Sequence, residues 1–134
     1  MTPFKLKIVT PDGLIYDGEA EELIVRTTGG DVAILARHIN YVAPLGMGRA
    51  VVISGGQRRT AACIGGMLSV ADGAATLVAT TFEWADKIDT ERVEASLKKA
   101  NTILGSQKST DAEIALAQAR LHRALVRKSV ASYK

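Results

Sequence analysis

The side chains best suited to acid–base, nucleophilic or metal chemistry are two histidines, His38 and His122, and a single cysteine, Cys63. The histidines belong to different parts of the chain, and neither has another histidine or a cysteine at the spacing of a metal site. Cys63 has no second thiol with which to form a disulfide, which is typical of a reduced, cytosolic protein. These residues therefore predict neither a metal site nor a catalytic centre.

Glycine pairs are frequent, but they do not form a phosphate-binding motif. The chain contains no Walker A loop, no dinucleotide-binding fingerprint and no Gly-x-Ser-x-Gly elbow. Gly65-Gly66 lies within an apolar stretch and no helix start follows it, so this pair predicts a bulge or a close approach between backbone segments. Because no convergent set of polar groups is present, the chain is not expected to be an enzyme.

Turn residues and charge both divide the chain near Lys87. Residues 1 to 86 hold all three prolines and eleven of the twelve glycines, and they carry a net charge of −2. Residues 87 to 134 carry a net charge of +5. This asymmetry predicts two domains, 1–86 and 87–134, with different partners, and the basic tail is expected to meet an acidic surface.

The first domain is predicted to be all-β. Phe4, Leu6 and Ile8 alternate with polar residues, and the segment 10–13, Thr-Pro-Asp-Gly, has the composition of a tight turn. Similar runs recur about every ten residues and are separated by glycine-rich turns. These runs are Leu23–Thr27, Val32–Leu35, Gly48–Ser54, Thr60–Ile64, Met67–Val70 and Thr76–Thr81. The spacing predicts an antiparallel β-sandwich of about ten short strands.

The second domain is predicted to be a C-terminal α-helical hairpin. Asp89 is placed to cap the first helix, which ends near Gly105, and Thr110 with Glu113 has the spacing of a capping box. Two apolar stripes would face each other, formed by Val93, Leu97, Ala100 and Leu104 and by Ile114, Ala117, Leu121, Ala124 and Leu125. Because several of these residues are alanines, which bury little apolar area, the hairpin is expected to be marginally stable and readily undocked.

A small β-barrel that binds nucleic acid with the help of its basic tail is the alternative interpretation. The net negative charge of the β domain argues against it, as do the aromatic residues, which number only six and are scattered. A hydrolase or transferase has no constellation of residues in its favour. No apolar run approaches the roughly 18 residues of a membrane span.

Several motifs, taken in order, resemble the epsilon subunits of F-type ATP synthases. They are Ile8-Val9-Thr10-Pro11-Asp12-Gly13, Gly18-Glu19-Ala20, Gly29-Gly30-Asp31 continuing to His38, Pro44-Leu45-Gly46-Met47-Gly48, Gly65-Gly66-Met67-Leu68-Ser69-Val70 and Ile88-Asp89-x-x-Arg92. The match covers nearly the whole chain and coincides with the order of sandwich and hairpin. The sequence departs from the usual family pattern at Ala33, at Ala36-Arg37 and at Ile39-Asn40.

The resemblance implies a non-catalytic rotor subunit of the central stalk. In this family the sandwich binds the gamma subunit and rests on the polar loops of the c-ring, and Asp31 and His38 match positions of the ring-facing edge. An acidic Asp31 would suit basic ring loops, whereas the alternative is an aspartate that only caps its own turn. The chain is then expected at the cytoplasmic face of a bacterial plasma membrane, attached only through the complex, with no nucleic acid partner.

The resemblance also implies a regulatory tail. The hairpin would either stay folded or rise along gamma into the head formed by the alpha and beta subunits, where it inhibits ATP hydrolysis. The roughly 45 residues after Ile88 reach on the order of 60 Å as extended helix, which is far enough. Arg120, Arg123 and Arg127 would meet acidic surfaces of the catalytic head, or alternatively form only the solvated face of an amphipathic helix.

Some bacterial members of the family bind ATP between the tail helices, and no cofactor is otherwise expected. The matching residues here are Glu83, Ile88, Asp89, Arg92, Lys99, Arg123 and Arg127. Asp89 would bind the adenine amino group or orient Arg92, while the cations would neutralise the phosphates. Lys99 replaces an arginine, and Val93 an alanine, of the ATP-binding members, so weaker binding is expected. The alternative is that Asp89 serves only as a helix cap.

Overall fold

The computed structural model describes residues 2–133, and it divides between Trp84 and Ala85 into two compact units. The first unit is built from strands and the second from helices. Glycine and proline are concentrated in the first unit because its many short strands need tight turns.

Among the described residues, eight strands form the first unit. They are β1 (Phe4–Thr10), β2 (Gly13–Ala20), β3 (Glu22–Thr27), β4 (Gly30–Leu35), β5 (Tyr41–Pro44), β6 (Met47–Ser54), β7 (Gln57–Ala71) and β8 (Ala74–Trp84). Their order in the sheet is β2-β1-β8-β7-β6-β3-β4, and β5 pairs with β7 outside this path. The sheet folds over itself as a β-sandwich around one apolar core, which confirms the predicted fold class.

One strand pair departs from the antiparallel prediction. β1 lies between β2 and β8, and it runs parallel to β8, with Lys5 to Val9 opposite Ala74 to Val78. The other pairs are antiparallel. The parallel pair arises because the chain leaves the β1–β2 hairpin, builds the rest of the sandwich and returns beside β1 in the same direction.

The strand β7 explains why the strands number eight and not about ten. The runs Thr60–Ile64 and Met67–Val70 belong to one strand, because the glycines between them bend the strand without ending it. Gly65 and Gly66 have φ angles of 71° and 119°, and a Cβ on Gly66 would lie 1.9 Å from the carbonyl oxygen of Val78. The predicted close backbone approach is therefore confirmed.

Apolar residues that alternate with polar residues along the strands form the core of the sandwich. Phe4, Leu6 and Ile8 of β1 are buried, and the lysines between them are exposed. The other strands contribute to the same core through residues that include Leu23, Val25, Ile34, Val52, Leu68, Leu77 and Phe82. This period of two is what a strand with one buried face requires.

The second unit is a helical hairpin. A short 3-10 turn (Ala85–Lys87) precedes α1 (Thr90–Leu104), and α2 (Asp111–Ala131) packs against α1. Asp89 caps α1, and Thr110 forms the predicted capping box with Glu113. The predicted stripes supply the buried residues Val93, Leu97, Ala100, Ala117 and Ala124. Leu125 is an exception, since it is 49% exposed at the edge of the α2 stripe.

Candidate interaction surfaces

The described residues contain no evident catalytic or metal centre. Within residues 2–133, no three His, Cys, Asp or Glu side chains are grouped so that they would hold a metal ion. Burial raises the pKa of the Cys63 thiol from 9.0 to about 12, which suppresses the reactive thiolate at neutral pH. Neither described helix has the length and apolar composition of a membrane span.

Asp31 forms an ion pair with Arg26, which stands directly opposite it in the β3–β4 hairpin. The Arg26 Nε atom lies 3.1 Å from Asp31 Oδ1. Thr27, not Asp31, closes the turn, because its hydroxyl accepts from the Gly29 N–H and donates to the Gly30 carbonyl. The sequence suggested that Asp31 contacts basic ring loops or caps its own turn; in the structure its carboxylate pairs with Arg26, and the contact with a ring stays a prediction.

His38 follows β4 and is held by local contacts. Its Nδ1 atom lies 2.8 Å from the carbonyl oxygen of Ile39, and its ring meets the Tyr41 ring edge-on with a centroid distance of 5.8 Å. Asp31 lies near the start of β4 and His38 lies beyond its end, so about 13 Å of extended strand already separates Asp31 from Leu35. Asp31 and His38 thus lie towards opposite ends of β4, and their place at a ring-facing edge stays a prediction.

The residues predicted to bind ATP are distributed over both units. Glu83 lies on β8 in the first unit, and the other six residues belong to the second. Ile88 is buried. The Asp89 carboxylate accepts from the Arg92 backbone N–H at 3.1 Å, so it caps α1 as the simpler prediction required.

Four cationic residues of the candidate ATP site lie along one side of the hairpin. Arg92 and Lys99 of α1 are two turns apart, and Arg123 and Arg127 of α2 are one turn apart, so each pair lies on one face of its helix. The opposite side of the hairpin has a groove of about 950 Å³, and none of the four cations lines it. The groove is lined by Glu94, Ala95, Leu97, Lys98, Asn101, Thr102, Leu121, Leu125 and Lys128.

An ion pair shows which residues of the two helices lie opposite each other. Lys128 Nζ lies 3.0 Å from Glu94 Oε1. The helices are antiparallel, so the connection between them lies after Glu94 on α1 and before Lys128 on α2. Five residues nearer this connection are Lys99 on α1 and Arg123 on α2. The two cations are therefore level, and Arg120 continues the same stripe of α2 one turn nearer the connection.

An apolar strip that the sequence did not predict crosses the first unit. Pro44, Met67, Val78, Val9 and Leu14 are successive direct partners on β5, β7, β8, β1 and β2, so their side chains share one outer face. Met67, Val78 and Leu14 are 43%, 48% and 57% exposed. We call these five residues the apolar strip. Contiguous exposed apolar surface of this kind is typical of a protein interface.

The strip could be found only from the pairing of the strands. Its members come from five separate segments, and no short window of sequence contains more than one or two of them. The one local signal is that Met67 and Val78 each neighbour a buried leucine, Leu68 or Leu77, so both faces of these strands carry apolar residues.

Comparison with protein families identifies the two units. The model of the beta-sandwich domain of the ATP synthase delta/epsilon chain matches residues 3–85, and that of the long alpha-helix domain matches residues 86–132. The chain belongs to the ATP synthase delta/epsilon family. The resemblance to epsilon subunits seen in the sequence motifs is thereby confirmed.

Curated relatives of this epsilon-family chain span its full length. The ATP synthase epsilon chain of Ruminococcus albus is 38% identical over 135 residues, which cover 100% of both chains. The ATP synthase epsilon chain of Bacillus velezensis is 41% identical over 131 residues, which cover 98% of both chains. Both domains are thus shared with the epsilon chains of these bacteria.

Solved structures share the fold of the epsilon-family chain. One chain of the Euglena gracilis mitochondrial ATP synthase, in an OSCP/F1/c-ring assembly, matches with a TM-score of 0.83 and 22% identity, covering 96% of this chain and 81% of that chain. A chain of the Tetrahymena thermophila mitochondrial ATP synthase central stalk and c-ring matches with a TM-score of 0.61 and 13% identity, covering 95% of both chains. At these identities the likeness concerns the fold.

Proposed function

We propose that this epsilon-family chain is a non-catalytic part of the rotating central stalk of an ATP synthase, where it joins the gamma subunit to the c-ring. The apolar strip is the observation that carries the proposal. It lies on a rigid, well-packed sandwich and provides the exposed apolar surface needed for a lasting contact with another subunit. The complex would hold the chain at the cytoplasmic face of the membrane of a bacterium.

Substitution of Val78 in the apolar strip tests the contact with gamma. The Val78→Glu change places a charge in the middle of the strip, and an unpaired charge is strongly disfavoured in a desolvated interface. We expect the affinity for purified gamma, measured by isothermal titration calorimetry, to fall at least about tenfold. Gln57→Glu is the matched control, because it adds the same charge at an exposed position outside the strip. Equal binding by Val78→Glu and the native chain would refute the docking surface.

We further propose that the hairpin inhibits ATP hydrolysis by the complex. The two helices together contain 36 residues, which correspond to about 54 Å of helix when extended. Arg120, Arg123 and Arg127 lie on one side of α2 and suit an acidic surface of the alpha and beta subunits.

Removal of residues 88–134 tests the inhibitory role. Because the sandwich keeps the apolar strip, we expect a complex reconstituted with the shortened chain to assemble and to synthesise ATP. Its rate of ATP hydrolysis should exceed that of the complex with the full chain. An unchanged rate of hydrolysis, with both complexes fully assembled, would contradict regulation by the tail.

ATP sensing by the hairpin is the third proposal, and the cationic side formed by Arg92, Lys99, Arg123 and Arg127 supports it. A nucleotide that binds only the folded hairpin would stabilise it by about 2.7 kcal/mol at a concentration one hundred times its Kd. Titration of the full chain with ATP should shift the amide signals of α1 and α2. Arg123→Gln should weaken binding about tenfold, and Lys108→Gln, in the exposed connection, should not. No shift at millimolar ATP would exclude the site.

A further inference from the structure

β4 lies at one end of the strand order, and in the part of the chain that the structure describes no strand pairs with its outer side. A two-residue turn joins β4 to β3, so Thr27 and Gly30, which flank the turn, form a hydrogen-bonded pair. Hydrogen-bonded pairs alternate with non-hydrogen-bonded pairs along an antiparallel ladder. The N–H and C=O groups of Asp31, Ala33 and Leu35 therefore point away from β3, towards the open edge.

The β4 edge lacks the features that usually keep edge strands from associating, which are charged side chains, prolines and bulges. β4 has the sequence Gly-Asp-Val-Ala-Ile-Leu, and it pairs with β3 without a shift in register. Its one charged side chain is Asp31, and the Arg26 Nε atom lies 3.1 Å from the Asp31 carboxylate. The charge is thus compensated within the chain, and no net charge is left at this edge to repel another strand.

The strand at the other end of the order, β2, is protected. It carries two exposed carboxylates, Asp17 and Glu19, and its register with β1 shifts partway along the strand. The Glu19 carbonyl accepts from the hydroxyls of Tyr16 and Ser54, so side chains already use part of this edge. Pairing of two copies through β2 would also bring their carboxylates together, which is unfavourable. Of the two ends of the sheet, β4 is therefore the one suited to pairing.

The sequence of β4 fits antiparallel pairing with a second copy of itself. A twofold axis at Ala33, whose side chain is small and exposed, would place this residue opposite its own copy and Asp31 opposite Leu35 of the partner copy. The two alanines would exchange two N–H to C=O bonds. Each Leu35 N–H would donate to an Asp31 carbonyl, while the Leu35 carbonyl accepts from the His38 N–H of its own chain at 3.3 Å. The pairing would thus contain about four hydrogen bonds.

We propose that the chain, when free of other subunits, forms a weak symmetric dimer by antiparallel pairing of β4 with β4 of a second copy. Only the six residues of β4 are paired in each copy, which places the contact at the low end of protein interfaces. A Kd on the order of 100 µM is therefore expected. The apolar strip contains no residue of β4, so the dimer leaves it uncovered. Dimerisation is thus independent of the proposed function.

Sedimentation velocity of the full chain, from about 10 µM to about 1 mM, measures the dimer. Ala33→Lys places like charges opposite each other at the axis, and we expect it to raise the Kd at least about tenfold. Gln57→Lys is the matched control, because it adds the same charge at an exposed position outside β4, and its Kd should equal that of the native chain. A native chain that stays monomeric throughout would overturn the proposal. A native dimer that Ala33→Lys does not weaken would place the contact elsewhere and overturn it as well.

Disulfide cross-linking tests the register of the two strands. Cys63 is buried, so an introduced cysteine supplies the accessible thiol. Ala33→Cys should give a covalent dimer under mild oxidation, because its two thiols would lie opposite each other. In the same register the two copies of Leu35 are about 13 Å apart, so Leu35→Cys should cross-link at least about tenfold more slowly. Equal rates for the two variants would refute the pairing. Thermal unfolding of each variant establishes that the sandwich is folded.

Discussion

Gly66 is the residue on which the bend of β7 depends. It has a positive φ, and the carbonyl of Val78 occupies the space that a side chain would need. Gly65, the neighbouring residue, has more room, since the atom nearest to a Cβ added there is the Thr80 hydroxyl oxygen at 3.2 Å. A contact with a side chain is relieved more easily than one with the backbone of a paired strand.

Gly66→Ala is expected to destabilise the sandwich severely, on the order of 3 kcal/mol or more, because the backbone must both strain and separate from β8. Urea unfolding monitored by circular dichroism measures the change. Gly55→Ala is the control, because Gly55 also has a positive φ but a Cβ added there would have no atom within 4 Å, and about 1 kcal/mol is expected. Equal losses for the two variants would contradict the role of the close approach.

Cys63 is expected to be unreactive in the folded chain. Its raised pKa of about 12, three pKa units above the ordinary 9.0, lowers the thiolate fraction on the order of a thousandfold at pH 8. The thiol ionises at a lower pH in the unfolded chain than in the folded chain, so ionisation favours unfolding. The free energy of unfolding should therefore fall as the pH rises above 9. Alkylation by iodoacetamide, followed by mass spectrometry, should be far slower in buffer than in urea. Rapid alkylation of the folded chain would contradict the burial.

From the residue types, the local structure could be predicted better than the contacts between side chains on the surface could. The cap at Asp89, the capping box at Thr110 and the glycine pair at 65–66 depend on neighbours a few residues away, and the sequence displays such neighbours directly. The pairing of Asp31 with Arg26 depends on cross-strand register, so a sequence without known strand partners left the role of Asp31 open. Long-range contacts of this kind are set by tertiary structure.

Helix α2 begins at a complete capping box. The Thr110 hydroxyl accepts from the Glu113 N–H at 3.2 Å, and Glu113 Oε1 accepts from the Thr110 N–H at 3.4 Å. The buried residues of α2 include two alanines, so the helix gains limited stability from apolar burial. The capping box is therefore expected to contribute measurably to the stability of α2.

Thr110→Ala is expected to destabilise the hairpin by about 1 kcal/mol through loss of the cap. Hydrogen exchange of the α2 amides should accelerate, with the largest change in the first turn. Thr102→Ala is the control, because the Thr102 hydroxyl donates to the Lys98 carbonyl within α1, where alanine is the better helix former. If the rate of hydrogen exchange in α2 were the same in the Thr110→Ala variant and the native chain, packing alone would fix the start of the helix.

Strands were harder to predict than helices for a physical reason. Each helix carries its own hydrogen bonds, so a stripe and two caps specify it within one segment. The hydrogen bonds of a strand are made with partners elsewhere in the chain. For example, β5 and β6 both pair with the same edge of β7 and in the same register, and no local sequence pattern predicts this. The parallel pairing of β1 with β8 was missed for the same reason.

At the scale of the whole molecule, the first unit contains everything required for its own core. The buried cluster is drawn from the strands of this unit, and Trp84 at the end of β8 packs against it. The Arg59 guanidinium carbon lies 3.7 Å from the centre of the Trp84 ring, and the rings of Phe82 and Tyr16 meet it edge-on. The unit should therefore keep its structure without the helices.

A chain shortened to residues 1–87 is expected to fold with the same surroundings for Trp84, the single tryptophan. Its fluorescence spectrum should match that of the full chain, and it should unfold in one cooperative transition on heating. The separate segment 85–134 should show little helicity, because short helices with small buried residues are marginal in water. A disordered 1–87 fragment would show that the sandwich needs the hairpin to fold.

The position of β1 beside β8 also dictates when this protein is able to fold during its synthesis. The strand made first has its inner partner among the last residues of the sandwich, so the β1–β2 hairpin leaves the ribosome before the partner of its β1 edge has been made. The β1 edge stays unpaired until β8 has been synthesised, and only then can β1 be fixed in the sheet. Nascent chains halted before β8 are the ones most exposed to aggregation, and chaperones would have most to protect at that stage.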